Sequence, residues 1–228
     1  MYDLHCHFIP GLDDGARTVE EAIQLLKMAQ LNGISHIVST PHINPGHLDN
    51  TLAGIQRGLA SLKAAAIEAG VSVQLAAAAE VRLCSELPGW VESGSLPYLG
   101  EYQGYKVLLL EFPHSHIPAG ADRLVKWLLG KQVLPMIAHP ERNRDVQMDL
   151  KKLLPFQRMG CLLQLTASSV LGDMGESSKE TALLLLQQKA FHIVASDSHN
   201  LQRRPPKLAE ARDYITTLCG HDYAEQLV

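Results

Sequence analysis

Two histidines two residues apart, His5 and His7, stand inside the opening stretch MYDLHCHFIPGLDDG. On a strand, side chains two apart share a face, so both imidazoles point one way and Cys6 the other. A Pro-Gly turn then leads to the paired carboxylates Asp13 and Asp14. Imidazole nitrogen with carboxylate oxygen and no thiolate is the start of a site for a divalent metal ion. A lone His-x-His proves little, but the same residue types recur downstream. His42 follows Ser39-Thr40-Pro41, Glu80 follows four alanines, and Glu111 ends an apolar run; His139 stands in AHPERN, and Asp197 and His199 in ASDSHN. Carboxylates closing apolar strands are rarely there for packing.

The elements that must position these residues alternate regularly. Strands are expected over Tyr2–Phe8, Ile34–Thr40, Val71–Val81, Tyr105–Phe112, Val133–Ala138, Cys161–Leu165 and Phe191–Ala195, from their apolar and β-branched runs. Between them, Thr18 and Glu21 form a capping box for a helix that Gly33 closes. Further helices are expected over Leu48–Ala69, within Leu83–Leu99, over Pro118–Lys131, from the His139 loop to about Arg158, and over Ser177–Lys189, where the leucine run Leu183–Leu186 is helix core. Pro205 is expected to open the last one.

Strand and helix alternating seven times imply parallel strands with right-handed crossovers. The polar candidates fall at the C-terminal ends of six of the seven strands, and an open sheet would not bring six strand ends around one point. The expected fold is therefore α/β: a distorted seven-stranded (β/α)7 TIM-like barrel, one domain spanning residues 1–228.

At 228 residues and 46% hydrophobic content the chain can bury a substantial core. A net charge of −4 offers no general attraction for nucleic acid or anionic lipid, so an anionic substrate must be held locally. Neither a signal peptide nor a membrane-spanning run is legible, and a cytoplasmic location is expected. Cys6, Cys84, Cys161 and Cys219 are widely spaced, which suits reduced thiols, and no Cys-x5-Arg phosphatase loop occurs. No G-x-S-x-G elbow, P-loop or dinucleotide-binding turn is present either.

Taken in order, HCHFIPGLDDGA, STPH, the isolated Glu80, LLLEF, IAHPERN, ASDSHN and the following RRPP resemble the PHP (polymerase and histidinol phosphatase) superfamily, and within it the CpsB/YwqE-type bacterial protein-tyrosine phosphatases of capsule and exopolysaccharide systems. The likeness runs over nearly the whole chain. One departure is the loop after His42, INPGHLDN, which bears on substrate contacts rather than on the candidate ligands.

The resemblance implies three divalent metal ions, manganese in the family, with iron and zinc compatible with the same ligands. His5, His7, Glu80 and Asp197 would hold one; Glu80, Glu111 and His139 the second; Asp14, His42 and His199 the third, with Asp13 the rival to Asp14. Arg142 and Arg204 match the family's phosphate-clamping arginines and, with Asp197, form the catalytic group; a guanidinium fork suits phosphate oxygens. Metal coordination brings the pKa of bound water to about 7, so metal-activated hydroxide attacks phosphorus with no covalent enzyme intermediate.

The implied function is a metal-dependent protein-tyrosine phosphatase acting on a bacterial tyrosine autokinase tail that regulates capsular or exopolysaccharide synthesis. The alternatives are a small-molecule phosphoesterase such as histidinol-phosphate phosphatase, where a His is expected around the Asp13/Asp14 position, and a non-catalytic metal-binding regulator. His114 and His116 read as loop residues, and Arg203 as solvated.

Overall fold

Alternation of strand and helix is carried through residues 1–228 in the computed structural model. The strands are β1 (Tyr2–Cys6), β2 (His36–Ser39), β3 (His42–Asn44), β4 (Leu48–Asp49), β5 (Gln74–Ala77), β6 (Glu80–Arg82), β7 (Gly100–Tyr102), β8 (Tyr105–Glu111), β9 (Val133–Ile137), β10 (Leu162–Thr166) and β11 (Ile193–Ala195). Parallel pairings join β1 to β2, β2 to β5, β3 to β6, β6 to β8, β8 to β9, β9 to β10 and β10 to β11. Beyond β11 the backbone returns to the first strand. Cys6 and Ser198 form a parallel bridge, the His7 amide donates to Ser198 O (2.9 Å), and the Asp197 amide donates to His5 O (2.8 Å). The result is a mixed α/β unit with the C-terminal strand ends gathered together.

Period-two alternation decides what faces where. On β8, Leu108 and Leu110 join the large core beneath the helices, whereas Val107 and Leu109 join a smaller apolar cluster with Leu134, Met136 and Leu162. Glu111 continues the second series. The helices press Leu25, Leu26, Ile55, Leu62, Val125, Leu128, Leu185 and Leu186 into the large core. Each such side chain contributes roughly 1.5–3 kcal/mol when fully buried, which makes this frame stiff enough to hold a polar cluster at its rim. Within the leucine run, only Leu184 is well exposed. No helix is long and apolar enough to cross a membrane.

Several boundaries differ from expectation. The first helix, Val19–Leu31, has Thr18 Oγ1 accepting from the Glu21 amide (3.2 Å), but Glu21 turns to the Arg17 amide (3.1 Å) instead of back to Thr18. Helix Leu52–Glu68 starts later than Leu48, because Thr51 caps it and Leu48–Asp49 pairs antiparallel with β3. The strand expected over Val71–Val81 is broken between Ala77 and Glu80, and its neighbour is broken at Thr40-Pro41, where proline has no N–H to donate. In place of one helix up to Arg158 there are four short pieces, with Asn143 and Asp149 capping fresh starts and Pro155 in the first turn of the last. Pro205 opens no helix. Followed by Pro206, it is disfavoured from helical geometry, and the helix begins at Leu208.

Candidate metal and phosphate site

The site is built from strand ends held in unusual backbone shapes. His139, just past β9, and Asp197, just past β11, both adopt left-handed conformations (φ 30° and 50°). Such geometry costs on the order of 1–3 kcal/mol and persists only where the surroundings impose it. Here they do. The His139 amide donates to Gln164 Oε1 (3.2 Å), and the buried Asp3 carboxylate accepts from both Ser196 N (2.9 Å) and Ser196 Oγ (2.5 Å), next to Asp197. After β1, Ser39 Oγ accepts from the Phe8 and Ile9 amides, and Asn50 Nδ2 donates to Leu12 O and His42 O, tying the two loops together. Gly15 is required where it stands, since a Cβ there would lie 2.1 Å from His7 O.

Three imidazoles are oriented by partners on Nδ1. His5 Nδ1 lies 3.0 Å from Gln164 Oε1, His7 Nδ1 2.6 Å from Asp13 Oδ2, and His199 Nδ1 2.9 Å from Asp197 O. All three partners are acceptors, so in the neutral ring the proton sits on Nδ1 and Nε2 presents its lone pair to the site. His5 Nε2 lies 3.2 Å from His7 Nε2, 3.2 Å from Glu80 Oε2 and 3.4 Å from Asp197 Oδ1. His7 Nε2 is 3.6 Å and 3.5 Å from the same two carboxylate oxygens. Donors at that spacing frame a space that a divalent ion with bonds of about 2.1 Å fills.

The other candidates adjoin this group. Asp14 Oδ1 is 3.4 Å from Nε2 of both His42 and His199; His42 Nδ1 is 2.9 Å from Glu80 Oε2; His139 Nε2 is 2.8 Å from Glu80 Oε1. All nine sequence-derived candidates are therefore brought together. The sets of mutually close donors cut across the implied division: His42 groups with Glu80 and Glu111 as well as with Asp14, His7 and His199, and His139 groups with His5 and Asp197. Asp13 is committed elsewhere, accepting from the His42 and Gly15 amides besides facing His7.

Charge is concentrated in the buried set. Burial opposes the charged form of each group. Even so, Glu80 is held well below the usual carboxylate range by His5 and His42, and Asp197 by His5 and Arg204. Burial lowers His7 and His42, yet Asp13 and Glu80 respectively override it and raise them to about 9 and about 11. In His139 burial prevails, reinforced by Arg142, and lowers it to about 3. Burial, then Glu80, pushes Glu111 up to about 7. Oε2 of both Glu80 and Glu111 is buried without a hydrogen-bond donor. Their nearest cations are His42 Nδ1 at 2.9 Å and Arg82 Nη2 at 3.0 Å, neither forming a directed hydrogen bond, and the imidazole and carboxylate donors together fit divalent metal.

Above the donors lies a cavity of about 320 Å³, with Leu48 as its single hydrophobic wall residue. Arg142 Nη1 and Arg204 Nη2 both reach Asp197 Oδ2 at 2.5 Å. His114, read from the sequence as a loop residue, lines the cavity, with Nε2 3.4 Å from Arg142 Nη2. His116 instead pairs with exposed Ser115. Arg82 also lines the cavity and was not singled out from the sequence; neither were Asp3 and Gln164, which support the site from outside the cavity. For Arg82 a signal existed: it stands two residues after Glu80, on the same strand face.

Comparison with known proteins gives one consistent result. A family model described as capsular polysaccharide synthesis, CpsB/CapC, matches residues 1–228. The tyrosine-protein phosphatase YwqE of Bacillus subtilis is 33% identical over 204 residues, covering 90% of this chain and 79% of the relative. The putative tyrosine-protein phosphatase CapC of Staphylococcus aureus is 32% identical over 205 residues, with the same 90% and 79% coverage. A structure from work on YwqE of Bacillus subtilis and CpsB of Streptococcus pneumoniae, described as unique metal-dependent tyrosine phosphatases, superposes with a TM-score of 0.92 at 31% identity, covering 99% of this chain and 90% of the other. A lactonase from Listeria monocytogenes shares the fold alone, with a TM-score of 0.53 at 12% identity over 99% of this chain and 91% of its own.

Proposed function

This chain belongs to the CpsB/CapC family of capsular polysaccharide synthesis, and from that premise we propose that it is a metal-dependent tyrosine-protein phosphatase, a hydrolase of phosphoric monoesters. The observation that carries this reading is the set of imidazole and carboxylate donors, buried except for Asp14 and the half-buried His42, lying beneath two arginines in a polar cavity.

His5, His7, Glu80 and Asp197 would hold one ion, Glu80, Glu111 and His139 a second, and Asp14, His42 and His199 a third, with Glu80 shared. The metal we propose is manganese, and the donor chemistry admits iron or zinc. Bound divalent ions supply Lewis acidity toward phosphoryl oxygens and a water acidic enough to ionise near neutral pH. Arg142 and Arg204 hold the phosphoryl oxygens. Both start from the Asp197 carboxylate, which keeps their forks pointed at one place, so the phosphate is oriented before attack. A tyrosyl leaving group has a pKa of about 10, and departs with less protonic help than an alkoxide needs. We assign no general acid.

We read the strands as a distorted seven-stranded barrel, with β2/β3 and β5/β6 each counting as one interrupted strand. The Cys6–Ser198 bridge and its flanking backbone hydrogen bonds support that reading. As substrate we propose a tyrosine-phosphorylated protein, specifically the tail of a tyrosine autokinase regulating polysaccharide export.

The test is phosphate release by manganese-reconstituted protein from a phosphotyrosyl peptide and from histidinol phosphate, side by side, with a chelated control. Chelator-sensitive turnover of the peptide is expected. Preference for histidinol phosphate would overturn the substrate assignment and leave the metal centre standing.

A further inference from the structure

We propose that Arg82 is a third guanidinium of the phosphate-holding site, contacting the substrate's phosphoryl group together with Arg142 and Arg204; this rests on the phosphatase reading above. Arg82 closes β6 two residues after Glu80, so the strand's alternation places both side chains on the inner face. It lines the same cavity as Arg142 and Arg204, and 23% of its side chain remains exposed.

Its bonding is incomplete. Nη2 lies 3.0 Å from Glu111 Oε2, but Glu111 Oε2 receives no properly directed hydrogen bond, and Arg82 Nε is buried with no acceptor at all. A guanidinium carries five donors and cannot shed its charge, and a buried donor without a partner costs about 1–3 kcal/mol. Glu111 is also a candidate metal ligand. With its oxygen engaged by a cation, Arg82 has less claim on it, and the exposed part of the guanidinium is left to meet an acceptor entering the cavity, while Nε stays buried.

The cavity wall runs in one chain of contacts. Arg82 meets Glu111, His114 Nε2 lies 4.0 Å from Glu111 Oε1 and 3.4 Å from Arg142, and Arg142 and Arg204 meet at Asp197. Two guanidiniums thus occupy the Asp197 end and one the Glu111 end. A phosphomonoester dianion, with three terminal oxygens, is the ligand that uses forks from both ends.

The experiment compares metal-loaded wild type with Arg82→Ala, Arg82→Gln and Arg82→Lys in three readouts: bound metal, KM and kcat on a phosphotyrosyl peptide, and the dissociation constant of inorganic phosphate. Arg82→Ala is expected to weaken phosphate binding and raise KM together, each by about tenfold, at unchanged metal content, with Arg82→Lys recovering part of both. Arg82→Gln, which keeps most of the side chain's length, replaces the alanine variant if that one fails to fold. Unchanged phosphate affinity and KM would overturn the proposal, as would metal loss with KM unaltered, which would make Arg82 a positioning residue for Glu111. If wild type leaves the peptide intact, the phosphatase reading falls, while the phosphate titration still decides whether Arg82 binds the anion.

Discussion

Oδ2 of Asp13 sits 2.6 Å from Nδ1 of His7 and accepts the His42 amide as well, so one carboxylate orients two candidate ligands without facing the metal space itself. Loss of partners of this kind costs metal affinity typically about 10–100-fold. Asp13→Ala is expected to weaken manganese binding by that much in a chelator-competition titration, with Asp13→Asn intermediate because an amide oxygen can still accept from His7. Equal affinity in wild type and Asp13→Ala would mean that His7 is held by something else.

The reach of the sequence can be judged from particular residues. His5 and His7 are legible because period two is a local rule, and Glu111 because an acid closing an apolar run is seldom there for packing. Arg82 obeys the same rule as His7, but an arginine at a strand end is so commonly solvated that the spacing alone says little. Gln164 and Asp3 are different. Each is a polar residue in a strand, yet its role depends on a partner 159 or 193 residues away, His5 and Ser196 respectively, and no local pattern supplies that. The helix starts at Leu52 and Leu208 were missed for local reasons: a threonine cap and a Pro-Pro pair outweighed the apolar periodicity that suggested earlier starts.

Asn200 shapes the loop that delivers Arg204. Its Oδ1 accepts from the amides of Gln202 (3.3 Å), Arg203 (2.8 Å) and Arg204 (3.1 Å), while Arg204 O accepts from the His199 amide (3.0 Å) and Ser198 Oγ (2.8 Å). Asn200→Ala should therefore act through Arg204. We expect kcat/KM to fall by about tenfold, roughly 1.4 kcal/mol, with Asn200→Asp recovering most of it and Asn200→Ala adding little on top of Arg204→Ala. Additive losses in the double variant would separate the two residues.

Metal removal should destabilise the fold. Glu80, Asp197, Asp14 and Glu111 converge, and an ion bound only by the folded chain at 100 times its dissociation constant contributes about 2.7 kcal/mol. For a chain of this length that corresponds to a fall in Tm of about 5–10 °C for each ion removed by chelation. An unchanged melting curve, with metal loss verified by elemental analysis, would count against the cluster.

Glu141 lies outside the donor set, fully buried, with Oε1 accepting the Thr166 amide (3.2 Å) and Oε2 without a partner. Burial pushes its carboxyl up to about 7, against about 4.3 in an unfolded chain. Below the lower value both states hold the proton and pH has no effect through this group. Between the two values only the unfolded chain releases it, so stability declines as pH rises, and levels off above about 7. Glu141→Gln removes the titration, keeps the acceptor for Thr166, and offers an amide donor to Ser169 Oγ, which has no partner. Its advantage over wild type should therefore grow from about pH 4 to about pH 8 by up to about 3 kcal/mol. Urea unfolding of both chelated proteins at the two pH values measures this, because the donor cluster titrates alike in each and cancels. A difference independent of pH would mean that the folded protein holds Glu141 no more protonated than the unfolded chain does.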